Sequence, residues 1–407
     1  MRVLTLIHLY PPHHIGGYEV ACRGIMERFR ARGHEVVVLT GDRGAGEGDE
    51  GVSPDAVEVR RELRLWWNWE TSQPLAPGAW QRVEIERHNQ RALHSLLDRF
   101  QPDVASVWDL AFVSLSLPTI LEQRRIPIVL TFLDDWITLA VDLDPWTRAF
   151  EHRPWARPLG AGLGLTTRLP TFEGASASFA SEAIGRMIDG YRRWEFPGSP
   201  IVPFGVDTQA FPVTAPDDHP WAWHLLYVGR VNRQKGVHTI IGALPRLPAE
   251  ARLDVVGHAF PEQLRDMQDL AAGLGVADRV AFSESSHEGL RDRYRSADLV
   301  VFSSEWEEPF GLVPLEAMAC GVPVIATGTG GSGEYLRDGE NCLIFRAGDS
   351  EDLARTAQRV AKDVALRGRL VEGGMATAGR LNMDRCADEL ERLHQRAARG
   401  PKVTGSG

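Results

Sequence analysis

Lysine is almost missing from this 407-residue chain: of 45 Lys and Arg residues only Lys235, Lys362 and Lys402 are lysine, which leaves 42 arginines. Cysteine is scarce too. Cys22, Cys320, Cys342 and Cys386 are too few and too widely spaced for a disulfide framework or a C-x-x-C metal site, which fits a reducing compartment such as the cytoplasm. Excess positive charge is lacking, since 55 Asp and Glu leave a net charge of −10, and this argues against a nucleic-acid partner. No apolar run reaches the roughly 18 residues that a membrane-crossing helix needs, so membrane contact would be peripheral. The apolar start, Met1 to His8, is too short for a signal peptide and lacks a small-residue cleavage pattern.

What is present is a chain long enough for two or three domains, each with its own core. Val3 to Leu9 is a buried-strand run. A Pro/His/Gly loop follows, then a helical pattern from Tyr18 to Arg32 closed by Gly33, then a second strand from Glu35 to Thr40. That βαβ unit predicts a parallel sheet with helices on both faces. Further strands are expected at Val104 to Trp108, Ile128 to Leu133 and Ile201 to Phe204, with helices near Phe112 to Glu122 and Ser178 to Arg192. A turn-rich stretch, 208–222, reads as an interdomain linker. The alternation then restarts, with strands at Trp223 to Val228, Leu253 to Val256, Arg279 to Phe282, Leu299 to Phe302, Val322 to Ala326 and Leu343 to Phe345. The expected architecture is α/β, with two doubly wound Rossmann-like domains (1–207 and 223–383) facing across a cleft, and a C-terminal helix from about Asp384 that packs back towards the first domain, ahead of a Gly/Ser-rich tail.

The most informative stretch is Glu305 to Ile325. Glu308 and Glu316 are separated by seven residues with Pro309-Phe310-Gly311 between them, and a helix is expected to begin near Leu312. Free N–H groups at a helix N-terminus favour an anion, and carboxylates pair with sugar hydroxyls. The second informative stretch is Gly229-Arg230…Lys235-Gly236, a strand-end loop with two cations that can neutralise a diphosphate leaving group. An exposed Arg/Lys pair is weak evidence alone, but here the lysine is one of three.

These pieces, with Gly16-Gly17, Pro203-Phe-Gly-Val-Asp207, Val256-Gly257, Gly321-Pro-Val and Gly330-Gly331…Glu334, resemble the retaining glycosyltransferases of the GT-B fold, family four. The resemblance implies transfer of a hexose from a nucleoside-diphosphate sugar, UDP-linked on family frequency, to a small-molecule, glycan or lipid-linked acceptor, with no metal and no further cofactor. It implies that Glu308 holds the hexose and Glu316 the ribose. Arg230 and Lys235 bind the diphosphate, helped by Gly16, Gly17, Gly257 and the segment Phe310, Gly311, Leu312 and Val313. Many family members carry a His-Asp pair after the Ile128 to Leu133 strand. This chain has Leu133 at the histidine's place, so Asp134 joins the catalytic candidates, and His14, Asp135 and Trp136 are acceptor-side candidates. Two other readings are a sugar-nucleotide epimerase and a degenerate nucleotide-sugar-binding subunit. A dinucleotide-dependent dehydrogenase is disfavoured because Tyr10 to Gly17 is not G-x-G-x-x-G.

Three weaker signals have plain readings. Asp142-Leu-Asp144 has the D-x-D shape of metal-dependent transferases but is expected to be a loop. His13-His14 has no further ligand at metal spacing. Arg60 to Trp69 mixes cations and aromatics, yet Val57-Glu-Val59 argues for an ordinary strand. Nine of the 12 tryptophans precede residue 195, which suggests an acceptor of sugar or hydrophobic character near Trp136 to Thr167.

Overall fold

A computed structural model describes residues 1–41, 57–68, 73–191, 193–214, 220–285 and 287–400. Trp69, the middle of the expected linker and the last seven residues lie outside these. The chain divides into two compact units, the first comprising Met1–Ala180, Ile184–Val202 and the chain from Cys386, the second Ser181–Ala183 and Pro203–Arg385.

In the first unit, β1 (Arg2–Leu6), β2 (Glu35–Gly41), β3 (Glu58–Leu63), β4 (Val104–Val107), β5 (Ile128–Phe132) and β6 (Ser176–Phe179) form one parallel sheet in the order β3-β2-β1-β4-β5-β6. Leu6 stands level with Leu39 on one side and Val107 on the other. Strands β4 and β5 are buried along their whole length, which is why they read as unbroken apolar runs rather than alternations. The helix Gly17–Ala31 lays Ala21, Cys22, Ile25, Met26 and Phe29 on the sheet. Gly33 stops it with φ +85° and an N–H bond to the Arg30 carbonyl (2.9 Å), the left-handed turn a glycine takes most easily.

The second unit repeats the design. Strands β7 (His224–Val228), β8 (Arg252–Val256), β9 (Val280–Ser283), β10 (Leu299–Phe302), β11 (Val324–Ala326) and β12 (Leu343–Ile344) are parallel in the order β9-β8-β7-β10-β11-β12. Leu225, Leu253, Val255, Leu299 and Val301 join Ile240 of the helix Val237–Ala243 in its core. In each sheet the strand order reverses beside the first strand, β1|β4 and β7|β10. The crevice at the carboxyl ends of those strands is where open α/β sheets bind ligands.

The C-terminal helix Met383–Ala398 belongs to the first unit from Cys386 on. Arg32 reaches Asp388 and Glu391 of that helix at 2.7 Å each, and His34 Nε2 meets Glu391 Oε1 at 2.8 Å.

Two expectations need correction, and one element was not expected. Ser178 is not in a helix but in β6, and the helix there is Glu182–Tyr191. Serine and alanine compose most of β6, so its residues carry little strand signal, and it is defined by pairing with β5. Ile201 to Phe204 is not a strand; only Ile201 bridges to Phe179. The 22-residue helix Ala79–Phe100 has no counterpart in the sequence reading. Its buried face is partly polar, including Glu86, Asn89 and Gln90, which blurs the apolar period.

Candidate functional site

In the second unit the chain leaves β7 at Gly229, exposes Arg230, and turns through Arg233–Lys235. Asn232 fixes that turn by accepting the Lys235 N–H on its side chain (2.9 Å). Gly236 follows with φ +71°, and a Cβ there would lie 2.0 Å from the Ser303 carbonyl oxygen, so only glycine lets this loop close on the end of β10. Ser303 answers by donating its hydroxyl to the Lys235 carbonyl (2.8 Å).

The two loops bring Lys235 and Glu308 together although 73 positions separate them. Lys235 Nζ donates to Glu308 Oε2 at 2.6 Å, and the same oxygen accepts from Ser304 Oγ (2.9 Å) and Trp306 Nε1 (3.2 Å). The ammonium also stands 5.2 Å from the centroid of the Trp306 ring. Both charged side chains are largely buried, at 16% and 9% exposure. A desolvated ion pair with two extra donors is a fixed unit rather than a loose surface bridge. Glu308 Oε2 is thus occupied from three sides, and Ser304 and Trp306 are partners the sequence reading passed over. Trp306 had a signal: it is one of three tryptophans after residue 195, inside the strongest motif.

Beyond Glu308, Phe310 is buried against Tyr335 (ring centroids 5.3 Å), and the Tyr335 hydroxyl donates to the Gly311 carbonyl. Leu312 caps the helix Val313–Ala319, which carries Glu316 in its first turn. Glu316 does not join the Lys235 cluster. Its Oε2 accepts from Tyr294 Oη at 2.7 Å, and burial pushes its carboxyl up to about 7 against that hydrogen bond. Gly257, after β8, gives its N–H to the Ser283 carbonyl (2.9 Å).

The first unit places a second group of polar side chains at the ends of β1, β4 and β5. His8 Nε2 lies 3.1 Å from Glu19 Oε1, and His8 Nδ1 lies 3.1 Å from the Asp109 carbonyl. Glu19 accepts the backbone N–H groups of Ile15 and Gly16, both at 3.2 Å. The Gly16-Gly17 loop is therefore held by Glu19, and the Gly16 amide is already committed to that carboxylate. Burial alone would depress the His8 imidazole, but Asp109 and Glu19 outweigh it and hold it well above its ordinary value. Glu19, despite burial, is pulled below the usual carboxylate range by His8. Asp134 accepts from Trp136 N–H (3.1 Å); burial and the charge of Asp109 raise its carboxyl well above its ordinary value. His8, Glu19 and Asp109 are functional candidates that the sequence reading missed. Glu19 had a signal, three residues past Gly16 in the spacing of a capping box.

The acceptor-side candidates divide. His14 is exposed, its Nδ1 3.0 Å from the Pro12 carbonyl. Asp135 caps the helix Trp136–Leu143 and receives the Thr138 hydroxyl. Trp136 is corrected: at 2% exposure beside Phe132 it is core, with no face for an acceptor. Asp144 of the D-x-D stretch is buried and accepts from Leu115, Trp146 and Thr147, so it is a structural cap. Among the described residues no cluster of His, Cys, Asp and Glu could hold a metal, and no helix is long and apolar enough to cross a membrane.

Comparison with known proteins gives this geometry a family. Residues 220–376 match the model of glycosyl transferases group 1, and residues 16–165 that of the glycosyl transferase 4-like domain. The chain is 34% identical over 212 residues to a D-inositol 3-phosphate glycosyltransferase of Stackebrandtia nassauensis, covering 47% of each. It is 38% identical over 153 residues to the lipopolysaccharide core biosynthesis glycosyltransferase LpsE of Rhizobium meliloti, covering 38% of this chain and 44% of that one. Each match spans about half the length of the relative or less. Two solved structures align over nearly the whole chain: a sucrose-phosphate synthase from Thermosynechococcus elongatus (TM-score 0.71, 23% identity, 97% of this chain and 98% of that one) and Anabaena HepE in complex with UDP and glucose (0.68, 19%, 96% and 98%). At such identities the likeness shows the fold, which is GT-B. With the glycosyl transferase 4-like model matched by residues 16–165 and the group 1 model by residues 220–376, the chain belongs to the group 1, or family four, glycosyltransferases.

Proposed function

We propose that this protein transfers a hexose from a nucleoside-diphosphate sugar, UDP-linked by preference, to a small-molecule, glycan or lipid-linked acceptor, with retention of configuration and without a metal ion. The observation that carries the reading is the meeting of Lys235 and Glu308 at 2.6 Å at the carboxyl end of β10, with Arg230 exposed on the same loop. A departing diphosphate needs positive charge, and preorganised cations supply it without reorganisation. Lys235 is held in place by Glu308 before any ligand arrives, and Arg230 is accessible to a phosphate.

Glu308 Oε1 then faces the donor hexose while Oε2 stays with Lys235, so one carboxylate links sugar and phosphate recognition. Glu316 orients the ribose through its remaining acceptor capacity. Gly17 opens the helix Gly17–Ala31 beside the Glu19-bound Gly16, and its amide is the proposed contribution of this loop to phosphate binding. In front-face attack the leaving phosphate takes the acceptor proton, and Asp134 is the proposed hydrogen-bond partner of the acceptor oxygen, able to give or take that bond according to its protonation state. Leu133 supplies no imidazole for the sugar, which leaves that contact to Asp134 or His14.

Anabaena HepE in complex with UDP-glucose is a precedent for such a donor on this fold. The test is a melting-temperature panel with uridine, guanosine, adenosine and thymidine diphosphate sugars, because a ligand of the native state raises the transition. One class of nucleotide sugar is expected to stabilise the protein, and released nucleoside diphosphate is expected with the correct acceptor extract. No stabilisation by any member at millimolar concentration would overturn the reading. Stabilisation without release under any acceptor would reduce it to a binding subunit.

A further inference from the structure

The segment from Trp146 to Arg168 combines a rigid inner side with an uncovered apolar outer side. On the inner side Trp146 and Leu165 pack with Trp66 and Ile85 in a buried cluster. Trp146 Nε1 donates to the Thr166 carbonyl (2.7 Å), and the Leu165 N–H to the Gly160 carbonyl (3.0 Å). A Cβ at Gly160 would lie 2.2 Å from Thr167 Cγ2, so the helix Arg157–Gly162 sits directly on the strand of chain that follows it. Asp144 ties down the start of the segment by accepting the N–H groups of Trp146 and Thr147.

On the outer side Trp155, Leu159 and Leu163 are 75%, 68% and 45% exposed. They stand four positions apart along the consecutive turns Pro154–Ala156 and Arg157–Gly162 and the residue that ends them. Three large apolar side chains held out by a packed base are not frayed chain, and scattered single exposures would need no explanation. Between residues 145 and 168 four arginines stand against one glutamate, and one of the four, Arg148, also donates Nη1 to the Asp142 carbonyl (3.0 Å). Arg148, Arg153 and Arg168 are exposed, Arg157 is partly so, and the one acidic residue between 145 and 168, Glu151, is taken by Arg157 (3.4 Å) and Arg193 (2.8 Å). In a chain of net charge −10 this local excess of cations is a departure.

We propose that this face docks on the surface of an anionic lipid bilayer, with Trp155, Leu159 and Leu163 entering the headgroup–acyl boundary and Arg148, Arg153 and Arg168 contacting lipid phosphates. Aromatic and leucine side chains flanked by arginines suit that boundary, with the leucines and the indole body on its apolar side and the guanidinium groups on its wet side. The charge complementarity selects an acidic lipid surface over a second copy of this acidic chain. Docking of this face is independent of the donor assigned above, since lipid binding needs no turnover.

The test is flotation of the full chain with vesicles of phosphatidylcholine alone and of phosphatidylcholine with 30% phosphatidylglycerol, in 0.1 M and 0.5 M salt. Binding is expected only to the anionic vesicles and is expected to weaken in high salt, by about fivefold for each arginine that contributes. The double variant Trp155→Ser/Leu159→Ser is expected to keep its melting temperature, because both side chains are exposed, and to lose at least tenfold in vesicle affinity. Arg153→Gln/Arg168→Gln is expected to keep its melting temperature and to lose affinity for the anionic vesicles. Absence of wild-type binding to anionic vesicles would overturn the proposal, as would unchanged binding by the Trp155/Leu159 variant. A wild-type dimer in solution that the same variant dissociates would overturn it too, because a second copy would then cover the face.

Discussion

Lys235→Ala separates two effects that a single activity measurement would merge. The first is structural. Glu308 is 9% exposed and would lose the one positive partner of its Oε2, keeping only the neutral donors Ser304 and Trp306. Breaking a buried pair by removing one partner costs several kcal/mol; with Lys235 at 16% exposure the lower end applies, about 3 kcal/mol, a fall of roughly 6–12 °C in melting temperature for a domain of this size. The second effect is on the donor. A charge-assisted hydrogen bond to phosphate contributes about 1.5–3 kcal/mol, which is roughly tenfold to a hundredfold in Kd. The double variant Lys235→Ala/Glu308→Gln removes the stranded charge, so it is expected to recover most of the lost stability and none of the nucleotide affinity. Calorimetric titration with the nucleoside diphosphate that the stabilisation panel selects reads the affinity, and thermal denaturation reads the stability. If Lys235→Ala bound that nucleotide within twofold of the wild type, the diphosphate role would be refuted. If Glu308→Gln restored affinity together with stability, Lys235 would be only a structural partner of Glu308.

Donor affinity is expected to change between pH 6 and 8 as the Glu316 carboxyl, pushed up to about 7, loses its proton, and Glu316→Gln is expected to abolish that change; nucleotide titrations across that range check it. Glu86 is fully buried, and burial with the nearby charge of Asp144 pushes it up to about 8. A raised folded value means the native state holds the proton more tightly, so stability is greatest below about 4.5 and falls as pH rises to about 8, by about 5 kcal/mol in all. Glu86→Gln mimics the protonated form, and its melting temperature is expected to exceed that of the wild type at pH 8.5 but not at pH 5; equal curves at both would contradict the burial argument. Trp136→Ala is expected to cost about 3–5 kcal/mol of stability from lost core volume. Any rise in acceptor KM without a fall in melting temperature would return Trp136 to the acceptor site.

Much of the fold was legible because parallel strands buried on both faces are unbroken apolar runs, and β1, β2, β4, β5, β7, β10 and β11 announce themselves that way. Where that condition fails, so does the reading. Strand β6 is Ser-Ala-Ser-Phe, and the helix Ala79–Phe100 buries Glu86, Asn89 and Gln90, whose partners include Arg64, Ser116 and Thr166, distant in the chain. The correspondence of Glu308, Glu316, Arg230 and Lys235 to one motif set rested on local spacing and needed no tertiary information.

What these residues do to one another is another matter. That Lys235 is spent on Glu308, with Trp306 beneath it and Ser304 beside it, depends on the glycine at 236 closing one loop against the carbonyl of Ser303. That Glu19 rather than an open amide holds the glycine loop depends on His8 at the end of β1. Trp136 and Trp155 are both tryptophans in one stretch, yet one is buried against Phe132 and the other stands in solvent. Composition and periodicity report what each residue prefers on average. Burial and charge pairing are set by neighbours distant in the chain, so the sequence determined the family, the strands and the charged motif, and only the packed structure decided which of those charges are already partnered and which aromatic faces remain open.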